Sequence, residues 1–135
     1  MTRFMLDTDT CIELIRGQTP RHFQRLRTHP PDAVGMSAIT LAELQCGVAK
    51  SSRPAHHATL LAEFCAPLAI LPFEGSAAET YGSVRANLER AGTPIGPLDT
   101  LIAAHALSLQ ITLVTNNQRE FRRVPGLRVE NWTKE

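Results

Sequence analysis

An α/β fold built on a mainly parallel sheet is what this sequence predicts, and three observations carry the prediction. Five short apolar runs, at residues 3–6, 33–36, 68–71, 111–114 and 127–129, read as strands, and helix-length segments separate them. Prolines, glycines and serines stand at the borders of those segments, where helix starts and stops need them. The 135 residues contain no repeat and no linker-like tract, so a single domain over 1–135 is expected, long enough to bury a core.

Each element has a local reason. The first run stops on Asp7, and Thr8 or Asp9 can cap a helix over 10–16 that Gly17 closes. Pro20 suits the first turn of a helix over 20–28, which Pro30 and Pro31 stop. After the weaker second run, Ser37 caps a helix over 39–50 whose Leu41, Leu44 and Val48 mark an apolar stripe. Pro54 begins the next helix, over 54–64, and Gly75-Ser76 leads into a long one that Gly92 ends near Ala91. Pro97 opens a helix over 97–109, with Leu98, Leu101, Ile102 and His105 as its inner face. The run 111–114 is the clearest strand, followed by a short segment over 117–121 and the final strand.

Composition removes several function classes. No apolar stretch reaches the roughly 18 residues that span a bilayer. The acids Asp7, Asp9 and Glu13 interrupt anything like a signal peptide, so an intracellular, cytoplasmic protein is expected. Three cysteines without a C-x-x-C spacing read as structural thiols rather than a disulfide frame or zinc ribbon. Net charge is +1, so no general basic field announces nucleic acid, although twelve of the fourteen basic residues are arginines suited to phosphate recognition. No Walker A loop and no dinucleotide fingerprint is present, and Gly35-Met36-Ser37-Ala38-Ile39 lacks the last glycine of a nucleophile elbow.

In parallel sheets, ligands bind beyond the carboxyl ends of the strands, which makes polar residues there candidates. Asp7 follows the first strand directly, and Asn116 and Asn117 follow the 111–114 strand. Glu43 lies in the helix after the second strand, and Asp99 in the first turn of the helix that feeds the 111–114 strand. One rim can gather Asp7, Glu43, Asp99 and Asn117. Three carboxylates so placed repel one another, a conflict that a hard divalent cation such as Mg²⁺ or Mn²⁺ removes. Metal-assisted phosphodiester hydrolysis is the chemistry implied. Singly, each acid has a plainer explanation: Asp7 or Asp9 as a helix cap, Glu43 as a solvated helix residue, Asp99 as a helix-dipole partner. Arg85, Arg90, Arg119, Arg122 and Arg123 can touch phosphates or simply solvate the surface.

Read together, four motifs resemble the PIN-domain ribonucleases, and specifically the VapC toxins of bacterial toxin–antitoxin pairs. They are Met5-Leu6-Asp7-Thr8-Asp9; Ser37-Ala38-Ile39-Thr40-Leu41-Ala42-Glu43-Leu44; Gly96-Pro97-Leu98-Asp99; and Leu113-Val114-Thr115-Asn116-Asn117 with Glu120-Phe121. The resemblance runs on to Trp132 and so covers nearly the whole chain. It implies a three-layer α/β/α sandwich and an Mg²⁺- or Mn²⁺-dependent endoribonuclease whose metal ligands are Asp7, Glu43 and Asp99. It also implies an RNA substrate drawn from transfer or ribosomal RNA, with initiator transfer RNA as the guess. A homodimer and a VapB-type antitoxin complete the picture, with the helices over 20–28 and 54–64 as partner surfaces. Asn117 stands where many members carry a fourth acid; it can coordinate but brings no charge, and Glu120 is the residue that could compensate. Asp9, Thr115 and Asn116 take orienting or substrate-contacting roles.

Two other functions fit parts of the sequence. A haloacid-dehalogenase-like phosphatase also begins with D-x-D after a strand, Asp7 being its nucleophile. It needs Thr or Val where Cys11 stands, and a lysine for which Lys50 is the sole internal candidate. A PIN-like scaffold that binds RNA or a partner without cutting is favoured by Asn117, but has no use for three converging acids.

Overall fold

The computed structural model describes residues 1–17 and 20–133. Five strands form one sheet in the order β3-β2-β1-β4-β5, and every neighbouring pair is parallel. The strands are β1 (Phe4–Leu6), β2 (Val34–Ser37), β3 (Ala69–Leu71), β4 (Thr112–Val114) and β5 (Val129–Glu130). The helices are α1 (Thr8–Arg16), α2 (Pro20–Arg27), α3 (Ala38–Lys50), α4 (Pro54–Cys65), α5 (Gly75–Arg90), α6 (Pro97–Leu109) and α7 (Gln118–Phe121). A 3₁₀ turn, Pro31–Ala33, leads into β2.

The sheet is covered on both faces, as the period-2 alternation of its strands requires. Met5 of β1 and Leu113 of β4 belong to one core with α5, α6 and Phe121 of α7. Their neighbours Leu6 and Val114 belong to the other, with Cys11, Leu14, Leu44, Leu61 and Trp132. That is a three-layer α/β/α sandwich. Gly35 is needed where β2 meets β3: a Cβ there would stand 2.5 Å from the Ala69 carbonyl oxygen.

Two expectations need correcting. Helix α1 begins at Thr8 rather than Thr10, and its cap is Asp7, the plainer explanation offered for that acid, rather than Thr8 or Asp9. The strand ends at Leu6, so the extended backbone of Asp7 (φ −77°, ψ 174°) aims its carboxylate at the Thr10 N–H. Leu98 is 45% exposed rather than inward. A helix leading into a parallel strand runs antiparallel to it, so the first turn of α6 overhangs the carboxyl edge of the sheet, beyond the core. Further along α6, Ile102 to Ala106 are all buried.

The order β3-β2-β1-β4-β5 fixes where a ligand belongs. The chain runs outward from β1 through β2 to β3, then returns to place β4 on the other side of β1. The switch point, and its crevice, therefore lies at the carboxyl ends of β1 and β4.

Candidate active site

Asp7 stands in that crevice. Its backbone N–H donates to the Val114 carbonyl at 3.0 Å, which locks the end of β1 to the end of β4. Its Oδ1 accepts the Thr10 N–H at 2.9 Å as the cap of α1. Its Oδ2 accepts the hydroxyl of Thr115, the first residue past β4, at 2.6 Å. Thr115 Oγ1 is itself held by the Asn117 N–H at 2.9 Å. A carboxylate only 3% exposed thus has both oxygens fixed. Burial pushes its pKa above the ordinary range, the bonds from Thr115 and Thr10 pull it back, and the charge of Asp9 raises it further.

Glu43 comes from α3, half-buried. The hydroxyl of Thr8, in the first turn of α1, donates to its Oε1 at 2.7 Å and lies 3.3 Å from Thr40 Oγ1. In the sequence Thr8 is only a candidate helix cap. The signal was a hydroxyl set between two candidate acids, at a position that helix α1 turns toward α3.

Asp99, half-buried in the first turn of α6, completes the group. Its pKa is pushed up to about 6, first by burial and then by the charges of Asp7, Glu43, Glu120 and Asp9, in that order. Asp99 therefore stands under the field of four other acids.

The residues after β4 take separate parts. Asn117 donates from Nδ2 to Glu120 Oε2 at 2.9 Å, so its amide nitrogen is committed and its oxygen is the end left to accept or coordinate. Asn116 is half-buried, and its Oδ1 is buried without a hydrogen-bond partner among the described residues. Asp9 is exposed and does not cap the helix; it acts on the site through its charge.

The fragment resembling a nucleophile elbow has another use. Ser37 is fully buried, accepts the Ile39 N–H at 3.0 Å as the cap of α3, and meets His105 Nδ1 at 2.8 Å. Burial holds the His105 ring below its ordinary pKa, and Phe73 packs edge-on against it. The pair fastens α6 to β2. All three cysteines are free, and burial pushes the Cys11 thiol well above its ordinary range, which leaves it inert.

An oxygen-only donor set under mutual repulsion suits a hard divalent ion. Among the described residues, no three His, Cys, Asp or Glu side chains stand as a ready-made cage. Mg²⁺ does not require one, since it keeps several waters and takes one or two carboxylates directly. Carboxylate oxygens of the kind that Asp7, Glu43 and Asp99 carry are the donors such an ion takes.

Known proteins resemble this chain in sequence and in fold. A family model described as PIN domain matches residues 4–127. The tRNA(fMet)-specific endonuclease VapC of Salmonella typhimurium is 42% identical over 132 residues, covering 98% of this chain and 99% of that one. The tRNA(fMet)-specific endonuclease VapC of Shigella flexneri is 39% identical over 133 residues, covering 98% and 100%. Among solved structures, DNA-bound VapBC from Salmonella typhimurium superposes with a TM-score of 0.94 at 42% identity, covering 98% of this chain and 99% of that one. VapBC2 from Rickettsia felis, bound to a DNA fragment from its promoter, gives 0.91 at 38% identity, covering 96% and 98%.

Proposed function

The chain belongs to the PIN-domain family, and on that premise we propose that it is the toxin of a VapBC-type pair, an endoribonuclease hydrolysing phosphodiester bonds of RNA. Its partner is a VapB-type antitoxin, the component with which its relatives occur in VapBC complexes. Initiator transfer RNA is the substrate we assign, because two relatives of nearly equal length are named for that specificity. No helix among the described residues is long and apolar enough to cross a membrane, in keeping with an enzyme working in the cytoplasm, where transfer RNA is. The assembly we infer is a homodimer joined to its antitoxin, with α2 and α4 as contact faces.

The observation that carries the proposal is the shared field at Asp99, whose carboxyl is raised to about 6 by burial and four other acids. PIN-domain nucleases use divalent metal ions; here Mg²⁺ or Mn²⁺ is assigned to Asp7, Glu43 and Asp99. When bound, such an ion supplies positive charge for the scissile phosphate and makes a water nucleophilic at neutral pH. Everything else falls to the chain itself. Thr115 and the Thr10 N–H keep the two oxygens of Asp7 in place, so that no reorganisation is needed as charge develops. Thr8 aims Glu43. Asn117 holds Glu120 against the rim, and its free oxygen can orient a water or the substrate.

The phosphatase alternative finds no lysine at the site among the described residues: Lys50 closes α3, exposed. The test is cleavage of purified RNA in Mg²⁺ by wild type and by Asp7→Asn and Asp99→Asn. Cutting by wild type alone, and only with metal, is expected; cutting that survives excess EDTA or both substitutions overturns the mechanism.

A further inference from the structure

An RNA strand that approaches this rim meets at least four acids, so something cationic beside them must hold its phosphates. Five arginines near the relevant segments are candidates, all exposed: Arg85, Arg90, Arg119, Arg122 and Arg123. Their contacts separate them. Arg85 donates to Glu89 Oε2 and to the Tyr81 hydroxyl, at 3.0 and 2.8 Å. Arg90 donates to Asn87 Oδ1 at 3.1 Å. Arg123 donates to the Pro94 carbonyl at 3.0 Å and so ties the chain after α7 to the loop before α6. The side chains of Arg119 and Arg122 make no hydrogen bond or ion pair among the described residues.

Both unengaged arginines belong to the short α7 segment, as its second residue and its C-terminal cap. That segment leaves directly from the site: Asn117 precedes it, Glu120 within it acts on Asp99, and buried Phe121 anchors it to the core. Residues three apart lie on one helix face, and Arg119 and Arg122 have that spacing, the cap Arg122 keeping helical backbone angles. Adjacent Glu120, one residue from Arg119, turns to Asn117 instead and does not neutralise them.

We propose that Arg119 and Arg122 form the phosphate-binding edge of the active site, seating the RNA backbone next to the scissile bond. The inference rests on the ribonuclease function above and adds which side of the rim the strand enters. Holding of the strand at this edge is sequence-independent, since contacts to phosphates carry no base information. Target choice then belongs to other surfaces.

The experiment is fluorescence anisotropy of a labelled single-stranded RNA oligonucleotide against full-length protein in EDTA, over a series of salt concentrations, with the RNA checked for integrity on a gel. For Arg119→Gln with Arg122→Gln, the slope of log affinity against log salt becomes shallower by about 1.4, at about 0.7 per lost contact, which is roughly 20-fold weaker binding near 0.1 M salt. Arg119→Lys with Arg122→Lys retains the slope. Arg85→Gln with Arg90→Gln leaves affinity within about twofold. In Mg²⁺, the Arg119 and Arg122 pair raises KM and spares kcat, a split that misfolding does not produce. An unchanged slope, or an equal loss in the Arg85 and Arg90 pair, overturns the assignment. RNA cut during the EDTA titration would instead sink the metal mechanism.

Discussion

The hydroxyl of Thr115 donates to Asp7 Oδ2 at 2.6 Å, joining the residue after β1 to the residue after β4 across 108 positions of chain. The bond closes the switch point of the sheet and holds the most buried acid of the site. Replacing Thr115 with Val leaves that oxygen without its donor. Loss of such a supporting contact costs roughly 10- to 100-fold in activity. Because the bond lowers the Asp7 pKa, its removal also moves the acid limb of the rate profile to higher pH. A variant with wild-type rates and an unmoved acid limb would show that Thr115 does not position Asp7.

Thr8 plays the matching part for Glu43. Thr8→Val is expected to weaken Mn²⁺ binding, followed by titration calorimetry, by roughly tenfold or more, and Thr8→Ser to restore it. Equal affinity in all three proteins would reduce Thr8 to a helix residue.

Asp99 titrates at about 6 instead of 3.8. A carboxyl whose pKa is raised on folding binds its proton more tightly in the folded state. Its contribution to stability is therefore greatest below 3.8, falls as pH rises to about 6, and is a net cost above that. Metal-free Asp99→Asn should melt a few degrees above wild type at neutral pH, with the gap closing below the ordinary carboxyl pKa. Added Mg²⁺ should raise the melting temperature of wild type and leave the variant unmoved. A neutral-pH melting temperature lowered by the substitution contradicts the crowding of acids at this position.

Gly35 tests the sheet beneath the site. Its added Cβ in Gly35→Ala would meet the Ala69 carbonyl at 2.5 Å, a backbone atom that cannot rotate away. Denaturant unfolding should report a loss of about 1–3 kcal/mol. Unchanged stability would mean that β2 and β3 are not so closely apposed.

Much of this arrangement was legible in the sequence, because parallel topology returns every strand to the same carboxyl edge. Once β1 and β4 are read as strands, Asp7 and Asn117 must share that rim, and Pro97 at the start of α6 brings Asp99 there too. What was not legible depends on a residue or two of strand length. Whether Asp7 or Asp9 caps α1 turns on β1 ending at Leu6, which an apolar run shows only to within a residue. The exposure of Leu98 depends on how far α6 overhangs the core, a matter of packing rather than periodicity. Thr8 was hidden for the opposite reason: its partner Glu43 is 35 residues away, and only the packing of α1 on α3 brings them together.

Asp7, Glu43 and Asp99 together make, we propose, a metal-dependent RNA-cleaving centre. Cleavage of purified initiator transfer RNA, resolved on a sequencing gel in Mg²⁺, in EDTA and with Asp7→Asn, tests it most directly. The expected result is a discrete cut by wild type in Mg²⁺ and none under the other two conditions. A cut of the same position and rate in EDTA, or by the Asp7→Asn protein, would contradict it.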